Sequence, residues 1–119
     1  LRTALLLQRV RYGADAIGAR EVFDLATRGG ARMLGFPRCG ELRPGWAADI
    51  AAFDVHGVEY AGAQADPLAA LLFCGIDHRA DWTIVHGRVA VEHGEVVGLD
   101  EDRLARDANH AAARLLAGS

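Results

Sequence analysis

Long apolar runs are missing from this sequence, and none approaches the roughly 18 residues that a membrane-spanning helix needs. The opening LRTALLLQRVR carries only a short apolar stretch between arginines and no small-residue cleavage site, so it does not read as a signal peptide. Cationic excess is missing too. Thirteen Arg and Lys residues stand against 16 Asp and Glu, a net charge of -3, which offers nothing to an acidic nucleic-acid backbone or an anionic membrane. Two cysteines are too few for a disulfide framework, and a reducing cytoplasm is the expected compartment. There is no internal repeat, low-complexity tract or linker. An initiator methionine is also lacking: Leu1 stands in what reads as the middle of a helix with no capping residue ahead of it. The expectation is an excerpt of a longer protein.

What is present is globular. The chain has 119 residues, 51% hydrophobic and 24% charged, enough for one domain and too few for two ordinary ones. Residues 1 to 12 read as a helix that Gly13 stops. A second begins near Ala19, with Val22, Phe23, Leu25, Ala26, Met33 and Leu34 near one face, and the Gly29-Gly30 pair is expected to break it in two. Pro44-Gly45 makes a tight turn into a short strand over 50 to 55. Residues 56 to 65 lack a period and read as a loop. Asp66-Pro67 caps and starts an apolar helix running to Gly75. WTIVHGRVAVEHGEVV reads as a meander, strands 82 to 86 and 88 to 92 turning at His86-Gly87, with a second turn at His93-Gly94. These strands and 50 to 55 are expected to share one small sheet. Asp100 caps a last helix carrying Leu104, Ala108, Ala111, Ala112 and Leu115 on one face, with Arg103, Arg106 and Arg114 mainly outside.

Residues able to do chemistry are scattered. The histidines His56, His78, His86, His93 and His110 never fall into H-x-H, H-E-x-x-H or H-x-x-x-H spacing, so no metal site is expected from them. His86 and His93 precede glycines at turns, where a polar residue is ordinary. Cys39 and Cys74 form no CxxC pair; Cys74 reads as a small buried hydrophobe, and neither has a base assignable from sequence. TRGGAR at 27 to 32 lacks the Walker lysine and the G-x-G-x-x-G spacing and reads as a helix interruption. Asp49, Asp54, Asp66 and Asp100 hold turn or cap positions. Trp46, Trp82 and Phe53 read as core or interface residues. No catalytic, cofactor-binding or metal-ligating residue is assigned.

Three stretches in order give the chain a context: ATRGGARMLG (26 to 35), GELRPGWAADIAAFDV (40 to 55) and WTIVHGRVAVEHGEVV (82 to 97). They resemble the patterns A-T-x-x-G-A-x-x-L-G, G-x-L-x-P-G-x-x-A-D and V-x-x-G-x-x-V-x-x-x-G at the C-terminal end of the amidohydrolase superfamily. The similar branch holds chlorotriazine hydrolases, guanine deaminases and 8-oxoguanine deaminases. LLLQRVRYGADAIGAREVFDLATRGGA and EYAGAQADPLAALLFCG look most like the last of these. Trp46 stands where a lysine is usual, and His86 where asparagine is common.

The resemblance implies a fold class of α/β plus small β: the last helices of a (β/α)8 TIM-type barrel, then the C-terminal strands of a small composite β-domain. Residues 1–39 would be barrel helices. Residues 40–119 would be the β-domain part, with an inserted helix near 66–75 and a closing helix near 100–116. It implies hydrolytic deamination of a purine base, 8-oxoguanine foremost, with release of ammonia; guanine, cytosine or a triazine are alternatives, as is a non-catalytic α+β interaction module. Zinc or iron would activate the water, held by residues upstream of this chain. The family's ligands and general acid/base map onto no residue here, so the fragment alone is expected to be inactive. Implied partners are the remainder of the enzyme chain, a small-molecule purine and further copies in a homo-oligomer, with no nucleic acid or membrane.

Overall fold

The computed structural model describes residues 1–74 and 79–118. Helix α1, Arg2–Tyr12, ends where the Gly13 N–H donates to the carbonyl of Arg9 with Gly13 at φ 108°. Helix α2, Ala19–Asp24, starts where the Glu21 carboxylate accepts the Gly18 N–H at 2.6 Å. The expected break at Gly29-Gly30 is not there. The backbone instead widens into a π-helical turn, Leu25–Gly29, and continues as α3, Gly30–Met33. Both glycines keep right-handed helical dihedrals, so their conformational freedom is unused; the irregularity is an inserted residue accommodated by the wider turn. Thr27 helps by donating its hydroxyl to the Phe23 carbonyl.

The chain then crosses to a four-stranded antiparallel meander in sequence order: β1 Ile50–Ala52, β2 Trp82–Val85, β3 Arg88–Glu92 and β4 Glu95–Val96. All three expected strands share this sheet, in register Ile50↔Ile84 and Val85↔Arg88, with a bulge between Thr83 and Ile84. β1 is shorter than the expected 50 to 55. It stops because the Asp54 N–H is taken by the Asp81 side chain, while the Asp54 carboxylate turns to the His56 N–H. Both tight turns form as expected. His86-Gly87 (φ 49° and 76°) and His93-Gly94 (φ 51° and 79°) hold the paired positive φ of two-residue hairpin turns with right-handed twist.

The expected loop 56–65 contains one 3-10 turn, Val58–Tyr60, which buries Tyr60. Helix α4, Pro67–Phe73, has its expected cap, Asp66 accepting the Ala69 N–H; Gly75, where it was expected to end, lies outside the described residues. At its far end Arg2 donates to the carbonyls of Leu72 and Cys74, tying α1 to α4. Helix α5, Glu101–Ala117, has its expected cap in Asp100, which accepts the Arg103 N–H. No helix among the described residues is long and apolar enough to cross a membrane.

The core is small. Leu5, Val22 and Leu72 bring α1, α2 and α4 together, with Ile17, Ala19 and Phe23 around them. Leu6, Leu7, Val10, Met33 and Leu34 are among many large apolar side chains left exposed. The chain presents 9245 Å² to solvent, where a globular monomer of its mass presents about 6,200 Å². Its radius of gyration is 18.3 Å, against about 13.5 Å for a compact domain of this length. Much apolar side-chain surface on these elements stays open to solvent.

Candidate functional site

The residues of the three sequence patterns meet where the α2–α3 segment, the loop before β1 and the β2–β3 turn converge. Gly40 carries the loop across the π-helical turn at φ 88°; a β-carbon there would stand 2.8 Å from the Arg28 nitrogen and the Thr27 carbonyl carbon. Arg28 pairs with Asp24 on its own helix and reaches Glu41 at 3.7 Å. Hydrogen bonding to Asp24, foremost, raises the Arg28 pKa further. Trp46 is half-buried with the Arg43 guanidinium over its ring at 5.4 Å. Asp49 ends the loop by accepting the His86 N–H at 2.7 Å, and the Gly87 N–H donates to the Ala48 carbonyl. This convergence is an architectural joint: its polar groups are spent on backbone and on one another.

The histidines do not converge. His56 is exposed and bonded to Asp54, whose carboxyl is held below the usual carboxylate range by the His56 N–H and then by its ring. His86 and His93 occupy the two hairpin turns, His93 meeting Trp82 edge-on at 5.1 Å, and His110 is exposed on α5. His78 lies outside the described residues. Among the described residues no three His, Cys, Asp or Glu side chains gather as a metal would require. Cys39 has its sulfur 4.0 Å from Asp49, and Cys74 is half-buried just past α4; both are free thiols. Among the described residues the donor set does not fit a catalytic zinc or iron, which needs three or four side-chain ligands converging on one point.

Two grooves flank helices α1 to α4. One, of about 290 Å³, is mainly apolar and lined by Phe23, Phe53, Leu71 and Leu72 beside the start of α1. The other, of about 360 Å³, lies at the joint between Arg28, Arg32, Phe36 and Trp46. Neither holds a nucleophile paired with a base.

The amidohydrolase family model matches residues 1–90. This chain belongs to the amidohydrolase family. Among its relatives is an 8-oxoguanine deaminase of Pseudomonas aeruginosa, 46% identical over 98% of this chain and 26% of its own length. A hydroxydechloroatrazine ethylaminohydrolase of Pseudomonas sp. is 36% identical over 99% of this chain and 25% of its own. The solved structure of atrazine chlorohydrolase from Arthrobacter aurescens TC1 complexed with zinc superposes with a TM-score of 0.83 at 36% identity, covering 92% of this chain and 24% of that one. An adenosine deaminase from Xanthomonas campestris with bound zinc gives a TM-score of 0.87 at 28% identity, over 98% of this chain and 27% of that one. This amidohydrolase chain thus spans about a quarter of the length of the relatives it matches. Its relatives are hydrolases and deaminases, and both solved structures named above carry zinc.

Proposed function

We propose that these residues are the structural C-terminal part of a metal-dependent aminohydrolase that removes an amino group from a purine ring, with 8-oxoguanine as substrate and ammonia as product. The observation that carries the substrate is the 46% identity to an 8-oxoguanine deaminase, maintained over nearly the whole chain. The atrazine-type relative reaches 36% and a 5-methylthioadenosine/S-adenosylhomocysteine deaminase of Pelotomaculum thermopropionicum 33%.

In this reading the chain contributes no atom to the reaction. Residues 1–39 serve as barrel helices and 40–119 as the β-domain with its inserted and closing helices. The joint built on Gly40, Asp49 and His86 fixes how these two parts meet, and the metal, zinc or iron, is held by residues outside these 119. The full protein would work in the cytoplasm.

The test is hydrolysis by the complete enzyme, loaded with zinc or iron, read as ammonia release from 8-oxoguanine, guanine, cytosine and S-adenosylhomocysteine and as chloride release from a chlorotriazine. The expected result is the highest kcat/KM on 8-oxoguanine. A tenfold preference (about 1.4 kcal/mol) for any of the others would replace the substrate, and no hydrolysis of any would remove the aminohydrolase reading.

A further inference from the structure

We draw no further inference here: the strongest candidate, the groove at the joint between Arg28, Arg32, Phe36 and Trp46, lies open in a chain that spans about a quarter of its relatives' length, and nothing in the structure shows what covers it.

Discussion

The carboxylate of Asp49 accepts the backbone N–H of His86 at 2.7 Å, across 37 positions of sequence. It joins the loop entering β1 to the turn between β2 and β3, where His86 takes a positive φ of 49°. The first expected outcome follows from this bond. A hydrogen bond to an ionised acceptor at an exposed position contributes about 1 kcal/mol, so Asp49→Ala should speed hydrogen exchange at the His86 amide about fivefold. Asp49→Asn, which keeps an acceptor oxygen, should recover most of the protection. Equal exchange in all three proteins would show that the bond holds nothing.

Gly40 and Gly45 both have positive φ, 88° and 80°, but only Gly40 lies against backbone. A β-carbon at Gly40 meets Thr27 and Arg28 at 2.8 Å, while at Gly45 nothing stands within 4 Å. Asparagine tolerates the left-handed region, so Gly45→Asn should cost under about 1 kcal/mol. Gly40→Asn should cost about 2–4 kcal/mol through the displaced π-helical turn. Thermal unfolding of the complete enzyme compares the two, and equal losses would mean that φ alone explains both glycines.

Much of this arrangement was legible in the sequence, because the signals were local. Asp66-Pro67 and Asp100 announce helix starts through capping, and His86-Gly87 and His93-Gly94 announce turns through backbone sterics; all four are found. What stayed hidden depends on distant partners. Asp49 reads as an ordinary turn carboxylate until β2 and β3 bring His86 to it. Gly29-Gly30 reads as a break by propensity, yet both glycines keep right-handed helical dihedrals and the helix runs through them by way of a π-helical turn. Strand β1 reads as six residues because Phe53 and Val55 alternate properly with Ala52, but the Asp81 side chain captures the Asp54 N–H and ends the ladder. No ligand set gathers among the described residues, so they make no metal centre legible.

The Asp54–His56 contact gives a pH dependence whose direction is set by geometry. The Asp54 carboxyl is held below its usual range, first by the His56 N–H and next by the His56 ring. A group whose folded pKa is depressed stabilises the folded loop above the unfolded value and loses that contribution as pH falls through the folded one. The order of loop 54–56 should therefore hold above about pH 4 and fade below it. The His56 amide chemical shift should follow the same titration. In Asp54→Asn the amide should lose that low-pH transition; its persistence would assign the transition to another group.

Taken alone, this chain should not behave as a finished domain. Its fully buried core side chains are Leu5 and Val22, and the excess of exposed surface over a globular monomer is about 3,000 Å². At about 25 cal/mol per Å² of apolar area, even a modest part of that excess forfeits several kcal/mol. That is comparable with the roughly 5–15 kcal/mol of net stability a whole domain has. The sheet does not rest on that core, since its strands are tied by hairpin turns and by Asp49. The helices depend on three side chains meeting at one point, Leu5, Val22 and Leu72. The 119-residue chain alone should therefore bind a dye specific for exposed apolar surface, sediment as associated species and unfold without a sharp transition. Leu5→Ala should worsen the helices before the hairpins, read by faster amide exchange in α1, α2 and α4 than in β2 and β3. A soluble monomer with one steep cooperative transition and no dye binding would show that its small core suffices.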